Sequence, residues 1–352
     1  MRELEHMPEI SVITSVYNCE EYIEDTIKSV IKQTFSDWEY IIIDDCSSDR
    51  SKEIIEKYAS SDSRIIYIRN STNKGQSTNL NTAISMSKGR YIARLDHDDI
   101  CIPDRFRIQY EYMENHSNTV LLGCRHIILK DGKEYWCTNL TRSDDEVRFL
   151  AAFGIQDTIH SAFFIRKSAM IENKILYRDF DYAEDYGLYS ELLTVGDVHI
   201  LEDTLVKYRV FDGNTTSKTT KELKYNESRK IILKYLECYK HIDFSIFEKS
   251  LKGDIHTKSE YQYLPIFVRS YAKQCGIDDA DGYRNPCMSF ALYNVLLWQK
   301  GCIYALFTYI RSGLAYDLKF VNYNLKMLKH CVLKERKLIL THRGKGILTT
   351  RY

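Results

Sequence analysis

The sequence predicts an α/β protein, a mainly parallel central sheet with helices on both faces, followed by a C-terminal helical extension. Apolar strand-like runs alternate with helical stretches through the first hundred residues. Four of those runs end in polar clusters: Ser15 to Asn18, Asp44 to Asp49, Asn70 to Lys74 and Asp96 to Asp99. From about Lys221 onward the pattern turns helical. Alternating β and α segments build a parallel sheet whose ligands lie outside the carboxyl ends of the strands.

Taken in order, Ile10 to Thr14 is an apolar strand, and Glu20 to Gln33 carries Ile23, Ile27, Val30 and Ile31 at helical spacing. Tyr40 to Ile43 is a second buried strand, Ser51 to Ala59 a helix and Arg64 to Ile68 a third strand. Ser77 to Ser87 is a third helix, closed by Lys88-Gly89, since glycine commonly follows a helix end. Tyr91 to Leu95 is the fourth strand, and Pro103 opens a helix that runs to about Asn115. Short strands follow at Val120 to Leu122, Ile127 to Leu129 and Glu134 to Trp136, the last two joined by an Asp131-Gly132 hairpin turn. Further strands are expected near Ala162 to Ile165 and Leu205 to Val210, with a helix starting around Glu184-Asp185. The polar stretch Gly213 to Ser217 reads as a linker. It divides residues 1–217, an α/β domain, from residues 218–352, a helical region with a basic tail.

The 352 residues suit one large domain with an appendage, and 49 basic against 49 acidic residues give no net charge. That balance excludes wholesale nucleic-acid binding, which needs a basic excess. Ten cysteines occur without a CxxC pair, and Met1 to Glu9 is polar, so reduced thiols in a cytoplasmic protein are expected. No run of 18 apolar residues is present. Met288 to Ile310 comes nearest, but Asn294, Gln299-Lys300-Gly301 and Thr308 break it into two short helices. From Lys319 the tail holds nine basic residues against Glu335, interleaved with Leu328, Val332, Leu333, Leu338, Ile339 and Leu340. Such a segment binds an anionic membrane surface or forms a solvated helical face. No GxGxxG follows the first strand, and neither GxxxxGK[ST] nor GxSxG occurs. Nicotinamide or flavin Rossmann, P-loop and α/β-hydrolase chemistries are therefore disfavoured.

Asp96 and Asp98 leave the fourth strand on the same side, because strand side chains alternate. Two carboxylates so close repel each other unless a cation sits between them, and Mg²⁺ typically takes one or two carboxylates plus phosphate oxygens. The plain alternative is a capped turn before the helix at Pro103. At Asp44-Asp45, capping explains Ser48 to Ser51 better than it explains two acids at the strand end, where a carboxylate could meet a base or a ribose. Tyr17 could stack on a nucleobase while Ser15 bonds its edge, or both could be ordinary packing. Glu184 and Asp185 fit a first helical turn through the helix dipole, and also fit a general base. Arg209 suits a phosphate clamp or a surface ion pair, while His160 and Ser161 line an acceptor groove or are structural.

Read in order, these segments resemble an inverting family 2 glycosyltransferase of the GT-A fold, of the kind that builds bacterial O-antigen or capsule. The supporting segments are Ile10 to Asn18, Ser29 to Thr34, Ile42 to Asp49, Asn73-Lys74-Gly75, Lys88 to Ala93, Asp96 to Asp99 and Pro103-Asp104-Arg105. The resemblance is strongest over residues 8 to about 115 and continues more loosely to about 215. It implies that Ser15, Tyr17 and Asp45 hold the uracil and ribose of a UDP-sugar. Asp96 and Asp98 match the DxD pair, with Asp98 the ligand to Mn²⁺ or Mg²⁺ and Asp96 beside it. Asp185 matches the acid that deprotonates the acceptor hydroxyl, and Glu184 flanks it. The implied reaction moves a hexose, from UDP-galactose or UDP-glucose, to an undecaprenyl diphosphate-type saccharide in a β-1,3 linkage. The implied location is peripheral, on the cytoplasmic face of the inner membrane. Two departures stand out: His97 fills a middle position that is often small, and Phe211 stands where relatives often have His. The rivals are a nucleotidyltransferase making NDP-sugars and a non-catalytic nucleotide- or glycan-binding scaffold. Tyr17 to Glu21 lacks the glycine-rich loop of the former.

Overall fold

The computed structural model describes residues 7–136, 143–178, 183–211, 220–237, 243–252 and 258–277, with residue 291. They fall into two compact units. The first draws its described residues from Met1–Thr141 and Gln156–Glu227, the second from Arg142–Ile155 and Ser228–Thr341. The linker at 213–217, the helices around Gly301 and the basic tail from Lys319 lie outside the described residues.

The first unit opens with β1 (Ile10–Val16), α1 (Ile23–Ile31), β2 (Trp38–Asp44), α2 (Ser51–Ser61), β3 (Ile65–Arg69), α3 (Gln76–Met86) and β4 (Tyr91–Arg94). Strands β3, β2, β1 and β4 lie side by side and parallel. Every residue of β1, β2 and β4 is buried, because helices cover both faces, and this is why the strands read as mainly apolar runs. Val16 pairs with Asp44 in the register. The polar residues after these strands therefore collect along one edge of the sheet.

The unit continues with β5 (Ile100–Cys101), α4 (Arg105–Asn115), β6 (Thr119–Lys130) and β7 (Lys133–Trp136). After an excursion into the second unit come β8 (Phe164–Arg166), α6 (Lys167–Glu172), α7 (Glu184–Leu192) and β9 (Asp197–Arg209). Among the described residues the sheet has nine strands in the order β3-β2-β1-β4-β8-β6-β9-β5, with β7 paired to β6. β8 is antiparallel to both β4 and β6, so antiparallel pairs extend the parallel core. Arg105, from the Pro-Asp-Arg segment, is fully buried. Its Nη2 donates to the carbonyls of Arg94 at 2.9 Å and Phe163 at 3.2 Å, bracing the end of β4.

Two expected short strands, Val120 to Leu122 and Ile127 to Leu129, are one continuous β6. The register against β9 shifts between Cys124 and Arg125 and again between Arg125 and His126. Bulges of this kind break the period of two and hide a strand's continuity. Gly123 is no break either: a Cβ there would lie 2.6 Å from Thr158 Oγ1, so the glycine permits close approach. The Asp131-Gly132 turn is present, with φ of 50° and 71°, the left-handed pair of a tight hairpin.

In the second unit, α5 (Asp144–Ala151) joins the C-terminal helices α8 (Lys221–Leu236, from Ser228 on), α9 (Ser245–Lys252) and α10 (Lys258–Gln274). Ser143 Oγ accepts from Glu146 N at 3.2 Å, and Glu146 Oε2 accepts from Ser143 N at 2.9 Å. This reciprocal capping box starts α5. Phe153 packs against Phe247 with ring centroids 5.2 Å apart and against Tyr271 at 5.9 Å, forming an aromatic core.

Candidate active site

At the ends of β1 and β2, Asp45 is buried, and three donors meet its carboxylate. Oδ1 accepts from Asn70 Nδ2 at 2.9 Å and Lys74 N at 2.8 Å, and Oδ2 accepts from Gly75 N at 2.9 Å. Burial opposes the charge, yet these bonds hold the carboxyl below its usual range. Asp45 thus fixes the 70–75 loop before α3 as well as facing the strand edge. Ser15 is buried, and its hydroxyl accepts from Asn79 Nδ2 at 3.0 Å. Tyr17 keeps 50% of its surface exposed, so its ring is available for stacking.

Beyond β4 the acidic loop is pinned from several elements. Thr26 Oγ1, from α1, lies 2.9 Å from the carbonyls of both His97 and Asp99, and its one hydrogen is shared between them or given to either. His97 turns its Nδ1 to the Ser15 carbonyl at 2.9 Å, so this ring lies back toward β1. Asp96 Oδ1 pairs with the fully buried Arg94 guanidinium, and Oδ2 accepts from Ser161 Oγ at 2.8 Å. Burial alone would raise its carboxyl, but the Arg94 guanidinium and the Ser161 hydroxyl bring it below the usual value. The Ser161 hydroxyl also accepts from Asp96 N at 3.0 Å and bonds Asp99 Oδ2. One hydroxyl hydrogen cannot serve two carboxylates. Asp99 is fully buried, and that burial, with Asp98 and Asp96 adding to it, pushes its carboxyl well up.

Asp98 is only 7% exposed. Burial raises its carboxyl above the usual range, with Asp96 adding to the effect. Arg209 braces the loop from β9. Its backbone N–H donates to Asp99 Oδ1 and its Nε to the Asp98 carbonyl, both at 2.8 Å. Its guanidinium lies 4.5 Å from the centre of the Tyr22 ring, on which Phe211 also packs. Arg209 thus positions the loop backbone.

The other acids enter on α7. The preceding Ala183 takes φ of 69°, a left-handed turn that starts the helix abruptly. Asp185 Oδ1 accepts from Tyr186 N at 2.8 Å and Oδ2 from Gln156 Nε2 at 3.3 Å. Glu184 Oε1 accepts from Gln76 Nε2 at 3.3 Å. Burial pushes Glu184 up to about 7, helped by Asp185 and Asp96, and burial likewise raises Asp185. Asp96 acts on both α7 acids, so the two sets of carboxyls share one electrostatic region. His160 lies beneath it, its Nε2 paired with the Tyr177 hydroxyl at 2.7 Å, and burial drops its value to about 3. Its imidazole is neutral and structural, and Ser161 serves the acidic loop.

Sequence reasoning missed Arg94, Asn79, Gln156 and the tie from Ser161. Arg94 did carry a signal, a charged residue inside an otherwise apolar strand. Among the described residues, no group of three His, Cys, Asp or Glu side chains is placed to hold a metal. The donor chemistry nevertheless fits a hard divalent cation held by one carboxylate and by phosphate oxygens. Asp98 is a buried acid facing like charge, whereas Asp96 already spends both oxygens on Arg94 and Ser161.

A mixed sheet whose parallel strands end in an Asp-x-Asp loop, with an acid pair at a helix start in the same unit, is the arrangement of a GT-A glycosyltransferase. The profile "Glycosyl transferase family 2" matches residues 11–173. A glycosyltransferase of Haemophilus influenzae with no assigned activity is 28% identical over 346 residues, covering 94% of this chain and 98% of its own. The Escherichia coli UDP-Glc:alpha-D-GlcNAc-diphosphoundecaprenol beta-1,3-glucosyltransferase WfaP is 32% identical over 216 residues, 61% of this chain and 82% of its own. Among solved structures, S. aureus TarS 1-349 in complex with UDP-GlcNAc superposes with a TM-score of 0.56 at 18% identity, covering 91% of each chain. The chain belongs to glycosyl transferase family 2 and is a glycosyltransferase.

Proposed function

We propose that the protein is an inverting hexosyltransferase that moves glucose or galactose from its UDP-sugar to a lipid-diphosphate-linked saccharide in surface-polysaccharide synthesis. The observation that carries this reading is the Asp96–Asp99 loop, pinned beyond β4 by Arg94, Ser161 and Arg209, together with the acid pair Glu184-Asp185 at the start of α7. Similarity to WfaP supports a UDP-glucose donor, an undecaprenyl-type acceptor and a β-1,3 linkage. In this reading Ser15, Tyr17 and Asp45 receive the uridine, and Arg94 keeps Asp96 ionised beside the donor. Asp98 would hold Mn²⁺ or Mg²⁺, which when bound neutralises charge on the leaving diphosphate.

Asp185 takes the proton from an acceptor hydroxyl as that oxygen bonds to the anomeric carbon. The carbon–oxygen bond to UDP breaks with its electron pair going to the diphosphate, so an α-linked donor gives a β-glycoside. A carboxyl raised by burial is a stronger base than an exposed aspartate, which suits this task. Catalysis belongs to residues 1–217. Residues 218–352 contact the acceptor or an anionic membrane, placing the protein peripherally on the cytoplasmic face. Among the described residues no helix is long and apolar enough to cross a membrane.

The test is a donor screen with Mn²⁺ and a synthetic GlcNAc-α-diphospho-lipid, following UDP release, with Asp185→Asn alongside. Acceptor-dependent turnover of UDP-glucose or UDP-galactose is expected. Asp185→Asn should bind UDP normally but lose turnover by about 10²- to 10⁴-fold, the usual worth of a general base. Near-normal turnover in that variant would remove Asp185 from the mechanism.

A further inference from the structure

Gln156 stands beside Asp185, buried at 7% exposure. Its Nε2 donates to the Thr158 carbonyl at 2.8 Å and to Asp185 Oδ2 at 3.3 Å. Turning the amide over would set its oxygen against the Thr158 carbonyl and the Asp185 carboxylate, so the donor side is fixed by its surroundings. The same orientation leaves Gln156 Oε1 buried and without a hydrogen-bond partner among the described residues. A buried amide with an idle carbonyl is a poorer occupant than an apolar side chain of similar volume. Proteins retain locally unfavourable groups chiefly at functional sites.

The carboxylate of Asp185 is gripped on both oxygens. Tyr186 N holds Oδ1 from within the helix, and Gln156 holds Oδ2 from outside it. The helix alone would leave the carboxyl free to turn about its last bond.

We propose that Gln156 is a positioning residue for Asp185, fixing the carboxylate plane from which the acceptor proton is taken. This rests on the reading of Asp185 as the base. Gln156 acts on the acceptor half of the reaction, since its contacts run to Asp185 and Thr158 and none is to Ser15, Asp45, Asp96 or Asp98.

The experiment compares wild type, Gln156→Met, Asp185→Asn and the double variant, with UDP-glucose, Mn²⁺ and the GlcNAc-α-diphospho-lipid. Gln156→Met should lower kcat by about tenfold to a hundredfold, as loss of an orienting partner does at metal ligands. KM for UDP-glucose and the Kd for UDP should stay within about twofold, because no donor contact is touched. Its Tm should fall by a few degrees at most, because Thr158 O and Asp185 Oδ2 lose a donor while the idle carbonyl is removed with it. In the Asp185→Asn background the same substitution should add no further loss, since the two residues act as one unit.

Wild-type kcat in Gln156→Met, with Asp185→Asn inactive, overturns the role of Gln156 and leaves the base in place. Near-normal turnover in Asp185→Asn overturns the base and this assignment together. Parallel losses of kcat and of UDP affinity in Gln156→Met overturn the proposal, because they mark a general loss of structure and not a misplaced base.

Discussion

Ser161→Ala removes one oxygen on which three parts of the acidic loop meet. That hydroxyl is fully buried, accepts from Asp96 N at 3.0 Å, meets Asp96 Oδ2 at 2.8 Å and bonds the Asp99 carboxyl. Alanine leaves a backbone N–H and two carboxyls each short of a partner. A neutral bond is worth about 1 kcal/mol and one to a charged group about 1.5–3 kcal/mol. Their loss, partly relieved by relaxation, should cost about 3 kcal/mol. At about 2–4 °C per kcal/mol for a unit of this size, Tm should fall by about 6–12 °C. Thr26→Val is the graded comparison. It removes one hydroxyl whose single hydrogen lies within reach of the His97 and Asp99 carbonyls, so it should cost about 1 kcal/mol, or roughly 2–4 °C. Calorimetric melting in chelator reads both. A Ser161→Ala midpoint within about 2 °C of wild type, or a Thr26→Val loss as large as that of Ser161→Ala, would refute the reasoning that Ser161 holds the loop.

Glu184, pushed up to about 7 in the folded chain, binds its proton more tightly folded than unfolded. Its contribution to stability is full below the unfolded value, 4.5, and is lost as pH rises toward about 7. Glu184→Gln should lack that downward slope in urea titrations between these pH values, and an identical slope in both proteins would contradict the shift. Truncation after residue 318 removes the basic tail. It should weaken binding to vesicles containing anionic lipid, with the loss vanishing at high salt, and unchanged vesicle sedimentation would count against tail-mediated contact.

The parallel half of the fold was legible because β1, β2 and β4 are covered on both faces and their sequences are dominated by apolar residues. Asp44-Asp45 and Asp96 to Asp99 stood out against those runs, and the order of the motifs made the family recognisable. Legibility failed where structure depends on residues far apart in the chain. Ser161 meets the acidic loop across 65 residues, and nothing near it in sequence announces that bond. Gln156 and Asp185 are likewise joined by the turn at Ala183 and the path of the chain before β8. β6 was split because its bulges upset the alternation that betrays a strand. The helix α5 was missed although its capping box, Ser143 to Glu146, was in plain view. Its apolar face serves the aromatic core of the second unit, and the surrounding sequence gave no hint of that.

The most direct test of the central idea, a divalent cation held by Asp98 to receive the donor's diphosphate, is calorimetric titration of UDP. Wild type and Asp98→Ala are each measured in Mn²⁺ and in chelator. Wild type should bind UDP at least about tenfold more tightly with Mn²⁺, a difference of about 1.4 kcal/mol. Asp98→Ala should bind equally weakly in both, with its Tm within a few degrees of wild type or above it. An Asp98→Ala protein that still gains tenfold from Mn²⁺, or a wild type indifferent to it, would contradict the account.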